Sequence, residues 1–159
     1  MGYGLCAGIA ASIERGGDAR AIVIVGDGGF QMTLNELGAA TQQCGVSGTC
    51  TAIQHGCRLL LLVIDNGLLG RVEHGFKNAK GCEITGCDWV ALARAYGADG
   101  MHVARDSEIE AALDAGLSAK GVFVLAARCD PALRAEMAKT SDGIMPPWLE
   151  PPGNHVESG

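Results

Sequence analysis

The chain has 159 residues, 48% of them hydrophobic and 4% aromatic, enough for one domain with a core of its own and too few for a second. A net charge of −6 without a run of lysine or arginine offers no electrostatic footprint for a nucleic acid or an anionic membrane, so small molecules or proteins are the expected partners. The longest uninterrupted aliphatic run, residues 59–64, falls far short of the ~20 residues of a spanning helix, so no membrane association is expected.

The opening MGYGLCAGIAASIERGG is apolar but lacks the basic region that precedes a signal peptide's apolar part, and reads as a helix of a cytoplasmic protein. Residues 21–25 are apolar at consecutive positions, the pattern of a strand covered on both faces. Gly26, Asp27, Gly28 and Gly29 follow at its carboxyl end, where missing side chains let backbone N–H groups approach a ligand. FQMTLNELG then predicts a helix whose N-terminus faces the same spot, favouring an anion. A dinucleotide fold would need a third glycine, but the window from Gly26 ends at Gln31. A carboxylate beside an anion cradle makes electrostatic sense with a cation between them, and one carboxylate with neutral oxygens and phosphates suits magnesium. Asp27 is therefore read as a metal ligand, at a strand end and outside the core, so that Asp27→Ala should remove magnesium-dependent binding without unfolding the domain.

The seven cysteines are odd in number and contain no C-x-x-C pair, so reduced thiols are expected; zinc gathered from Cys44, Cys50, Cys57 and His55 is the open alternative. Residues 59–64 predict a second buried strand running into DNGLLG, where Asn66 offers a neutral amide oxygen. Asp88 caps WVALARAYG with Gly97 as its stop, residues 101–103 form a short strand, and Asp106 or Ser107 caps EIEAALDAGL. Residues 122–127 repeat the strand pattern, and Asp130 with Pro131 starts a further helix. This alternation predicts an α/β fold, a doubly wound parallel sheet with helices on both faces and its ligands at the carboxyl ends of the strands. The domain is taken as residues 1–140; residues 141–159, with four of the five prolines, read as an extended or disordered tail in which Trp148 is loosely packed or docks on a partner.

At Asp27 and Asn66 the chain resembles the thiamine diphosphate-dependent enzymes of the acetolactate synthase and 2-oxo acid decarboxylase type, whose signature is a GDG, a spacer of about two dozen residues and an asparagine pair after a strand. The resemblance runs through MGYGLCAGIAAS, GDGGFQMTLNELG, LLLLVIDNGLLG and DWVALARAYGADG. It implies the diphosphate-binding domain of that family, with thiamine diphosphate and Mg2+ as cofactors. Asp27, the Asn66 side chain and the Leu68 carbonyl would bind the metal; Gly26, Gly28, Gly29, Leu69 and Gly70 would border the cofactor, with the Gly28 and Gly29 amides on its diphosphate.

Three departures stand out. Asp65 replaces the first asparagine of the pair, changing the charge of the site more than its coordination; Cys6 replaces a proline, read as a packing change. The third is a spacer of 36 residues from Gly29 to Ile64. AATQQCG and TAIQHGC align at an offset of 12, placing an insertion near residues 39–50 with the loop signal GVSG at its centre. It is expected to loop out and leave Asp27 and Asn66 in place, as surface loops tolerate insertions; the alternative is a displaced Asn66.

The family's cofactor carries the electron-sink chemistry on a 2-oxo acid, and the protein anchors and orients it. The activating glutamate belongs to a separate pyrimidine-binding domain, which nothing in this sequence matches, and the domain is short at its N-terminus relative to the family pattern. A fragment or a split-enzyme subunit without turnover of its own is expected, working within a homo- or hetero-oligomer. Arg71, Glu73 and His74, downstream of Asn66, are candidates for substrate contact or proton transfer, against a plain solvated loop, and His55, His102 and His155 read as structural or exposed. A non-catalytic cofactor-binding or regulatory module and a flavodoxin-like phosphate-ligand protein are the alternatives.

Overall fold

The structure, a computed structural model, describes residues 1–15, 19–38, 57–75, 80–84 and 87–129, with the backbone alone at residues 71, 74 and 75. The expected insertion at 39–50, the helix at Asp130 and Pro131, the tail 141–159, and Cys44, Cys50, His55 and His155 lie outside the described residues.

Four strands, β1 (Ala21–Gly26), β2 (Leu59–Asp65), β3 (Asp99–Val103) and β4 (Phe123–Arg128), form one parallel sheet in the order β1-β2-β4-β3. The described helices are α1 (Tyr3–Glu14), α2 (Asp27–Gln31), α3 (Gly70–Gly75), α4 (Trp89–Ala95) and α5 (Ile109–Ser118). None of them is long and apolar enough to cross a membrane.

Strand β2 is covered on both faces, as its unbroken aliphatic run predicts. Leu59, Leu61 and Val63 enter one core cluster with Leu5 of α1 and Trp89, Val90 and Ala93 of α4, while Leu60 enters a second with Ala112 of α5, Val103, Phe123 and Leu125. Each such side chain contributes about 1.5–3 kcal/mol on burial. Helices thus lie on both faces of the parallel sheet, which is the predicted α/β architecture.

Strand β1 departs from the expectation of two covered faces. Val23 is buried under α1, but Ile22 and Ile24 are 57% and 72% exposed, because α5 packs over β3 and β4 rather than over β1. On its covered face the approach is close. Gly4, Gly8 and Ser12 recur every four residues along α1, and a Cβ at Gly8 would stand 2.2 Å from Val23 Cγ2. Cys6 is exposed, so its replacement of a proline is no packing change toward the core.

The helix ends follow the sequence in part. Asp88 caps α4 by accepting from Val90 N and Ala91 N at 3.1 and 2.9 Å, and Gly97 stops the helix with φ of 82°. The cap expected at Asp106 or Ser107 is not formed. Those residues lie in a 3-10 turn, Asp106–Glu108, and the Glu108 carboxylate reaches back to accept from Ala104 N and Arg105 N. Strand β3 starts at Asp99, two residues before the expected 101–103.

Candidate cofactor site

The register brings the two predicted ligands together. Gly26 pairs with Ile64 at the carboxyl ends of β1 and β2, so Asp27, directly after β1, and Asn66, directly after β2, leave the same end of neighbouring strands whatever path the chain takes between them. The loop after β2 reaches Asp27, whose Oδ2 accepts from Gly67 N at 2.7 Å, so the alternative of a displaced loop finds no support here.

Asp27 is the first residue of α2, with Gly26 as its extended N-cap, so the helix begins at the aspartate and ahead of the glycines. Its side chain is 2% exposed, which corrects the expectation that it lies outside the core. Oδ1 accepts from Gly28 N at 2.8 Å and Oδ2 from Gly67 N at 2.7 Å. Gly28 N, expected on a diphosphate, donates inward to Asp27 in this structure. Burial pushes the Asp27 carboxyl above the ordinary range and the neighbouring Asp65 adds to the push, against the opposing effect of the two amides. A buried carboxylate in this state gains from a cation.

The loop after β2 supplies the other side. Asn66 Oδ1 accepts from Leu68 N at 3.0 Å, and Gly67 adopts the left-handed φ of 66° that the turn requires. Leu68 O, the expected third metal ligand, accepts from Gly70 N at 2.9 Å and keeps one lone pair. A short segment that the sequence reading missed pins this loop: Leu69 N donates to Cys82 O at 2.7 Å, and Ile84 N to Gly67 O at 2.9 Å. The one signal was the alternation of apolar Cys82 and Ile84 around Glu83, too short to declare a strand.

Beside the loop a cavity of about 500 Å³ is lined by Gly28, Gln31, Met32, Leu69, Glu83 and Ile84. Gly28 is needed for its shape. A Cβ there would stand 2.3 Å from Leu69 Cδ2 and 3.1 Å from Ile84 Cδ1. Gly29, next in α2, faces Val25, with its Cβ position 3.2 Å from Val25 Cγ2.

Glu73 and His74 lie on α3, which starts at Gly70 and so continues the site loop. Glu73 is half-buried and its amide donates to Leu69 O at 3.0 Å. The side chains of His74 and Arg71 lie outside the described residues. His102 is exposed, with Nε2 3.0 Å from Asp88 Oδ1.

The five described cysteines are free. Burial pushes the Cys57, Cys87 and Cys129 thiols up, the opposite of activation for nucleophilic chemistry.

Residues 1–127 match the family model described as "Thiamine pyrophosphate enzyme, C-terminal TPP binding domain". The chain is 33% identical over 131 residues to the acetolactate synthase isozyme 2 large subunit of Escherichia coli K12, covering 79% of this chain and 22% of that protein. It is 30% identical over 138 residues to the mitochondrial acetolactate synthase catalytic subunit of Saccharomyces cerevisiae, covering 82% and 18%. The chain therefore spans about a fifth of the length of these relatives. Among solved structures, benzoylformate decarboxylase from Polynucleobacter necessarius superposes with a TM-score of 0.69 at 23% identity, covering 82% of this chain and 24% of that one, a likeness of fold.

Proposed function

This chain belongs to the thiamine pyrophosphate enzyme family, through its C-terminal cofactor-binding domain, and we propose that it holds thiamine diphosphate by way of Mg2+ at the crest formed by β1 and β2. The observation that carries this reading is the buried Asp27 carboxylate, destabilised as an anion and fixed by two amides, one of them from Gly67, the residue after Asn66. A carboxylate with neutral amide and carbonyl oxygens is the donor chemistry of a hard divalent ion that keeps positions for phosphate oxygens. The cavity that Gly28 leaves open supports the same reading.

In this reading Asp27, Asn66 and the Leu68 carbonyl hold Mg2+, and Gly29, Leu69 and Gly70 border the cofactor. When bound, the cofactor supplies an electron sink for cleaving or forming a bond next to the carbonyl of a 2-oxo acid. The chain's own part is to anchor the charged end and fix its depth in the cavity. The function is that of a domain or subunit of an acetolactate synthase- or decarboxylase-like enzyme, completed by a pyrimidine-binding domain that carries the activating glutamate. Without that partner the purified chain binds cofactor and turns over no 2-oxo acid.

Calorimetric titration of the chain with thiamine diphosphate, in Mg2+ and again in a chelator, tests the reading. Saturable binding in Mg2+ alone supports it, and equal binding in both, or binding of a flavin in its place, contradicts it. Turnover by the isolated chain contradicts the need for a partner domain.

A further inference from the structure

Asp65 is the acidic group that the cofactor site leaves without a role. It ends β2, and its backbone is held by Cys129 N, which donates to Asp65 O at 2.8 Å. Its side-chain Oδ1 accepts from Gly67 N at 3.1 Å, the same amide that donates to Asp27 Oδ2 at 2.7 Å. Two carboxylates within reach of one hydrogen atom stand side by side, and one amide dipole cannot offset two negative charges. Among the described residues no cation neutralises either: no lysine, arginine or histidine nitrogen lies within 4.0 Å of their oxygens, and Arg128, opposite Asp65 in the sheet register, makes no ion pair with it.

Resting on the reading of Asp27 as the cation ligand, we propose that Asp65 is a second acidic determinant of that position, so that the chain takes up a divalent cation before, and independently of, the diphosphate. One carboxylate with neutral oxygens leaves a divalent ion short of charge, and the phosphates must make up the balance. Two carboxylates meet the double charge within the protein. A diphosphate arriving at the metal-free site instead faces both, and is repelled. Asp65 is half-exposed, so its attraction is reduced by solvent, and its removal should weaken cation binding about tenfold rather than abolish it.

The test is Mn2+ binding to the full 159-residue chain, read as loss of the free-ion signal in electron paramagnetic resonance, without and then with thiamine diphosphate. Wild type should bind Mn2+ alone, Asp65→Asn about tenfold more weakly, Asp65→Glu within a fewfold of wild type, and Asp27→Asn not at all. If Asp65→Asn fails to fold by circular dichroism, Asp65→Ser removes the same charge while keeping an acceptor for Gly67 N. Equal Mn2+ affinity in wild type and the uncharged variant overturns the role of Asp65 and leaves Asp27 as ligand. Uptake of Mn2+ by wild type only after thiamine diphosphate is added does the same. Absence of binding under both conditions, or undiminished binding by Asp27→Asn, overturns the Asp65 role and the cofactor reading together.

Discussion

Asp27, at the end of β1, and Asp88, ahead of α4, each accept two backbone N–H groups of similar length, and the two carboxyls shift in opposite directions. Asp88 is exposed; the Ala91 amide, with His102 3.0 Å away, holds its carboxyl below the ordinary range. Asp27 is buried against a second carboxylate, and burial carries it above that range in spite of its amides. The comparison separates two uses of one motif: burial and the sign of the neighbouring charge decide, and the number of hydrogen bonds does not. Asp88 is complete as a helix cap, whereas Asp27 is an anion lacking its counter-charge.

The contrast is broken most severely at Asp27 itself. Asp27→Ala should abolish Mg2+-dependent binding of thiamine diphosphate in calorimetry, a loss beyond a hundredfold. It should also lower unfolding free energy in denaturant by about 2 kcal/mol, because a buried donor at Gly28 N loses its acceptor. The sequence alone suggested a variant neutral to folding, and burial reverses that expectation.

Next in size is Gly28→Val, whose side chain would push Leu69 and Ile84 into the cavity. Cofactor affinity should fall about tenfold with the far-ultraviolet circular dichroism unchanged, as expected of overpacking at a site with flexible neighbours.

A third measurement sharpens the comparison through pH. Because the folded-state carboxyl of Asp27 is raised, its contribution to stability is fully present below the ordinary aspartate value and is lost as pH rises through the raised one. Asp88 runs the other way: its contribution is present above the ordinary value and lost as pH falls through the lowered one. Denaturant titrations of the metal-free chain from acid to neutral pH should therefore show a neutral-side loss that disappears in Asp27→Asn and that Mg2+ recovers.

The smallest expected effect is that of Asp88→Ala. Solvent rehydrates the freed amides of α4, so the unfolding midpoint should drop modestly and Mg2+-dependent cofactor affinity should stay at the wild-type value. A loss of cofactor binding equal to that of the Asp27 variant would erase the distinction between the two aspartates.

The sheet, and the placing of Asp27 and Asn66 at the carboxyl ends of β1 and β2, were legible in the sequence because unbroken aliphatic runs and glycine punctuation are local signals. Strand β2 needed nothing beyond its own composition. What escaped depends on tertiary position. Nothing in AIVIV tells that β1 is, among the described strands, the outermost one with Ile22 and Ile24 exposed, or that Asp27 sinks to 2% exposure against the 66–70 loop. The 82–84 segment escaped because its three residues gain meaning only from Leu69 and Gly67 across the loop. The expected cap of α5 is absent because a 3-10 turn, Asp106–Glu108, precedes the helix, and its Glu108 carboxylate reaches back to the amides of Ala104 and Arg105.

The claim that one cation joins Asp27, Asn66 and a diphosphate is tested most directly by a crystal structure of the chain with thiamine diphosphate and Mn2+, using the anomalous signal of the metal. The predicted result is one strong peak about 2.1–2.2 Å from an oxygen of Asp27 and from Asn66 Oδ1, with the diphosphate on its open side next to Gly28. A metal peak elsewhere in the fold, or a diphosphate bound without any metal at Asp27, would contradict it.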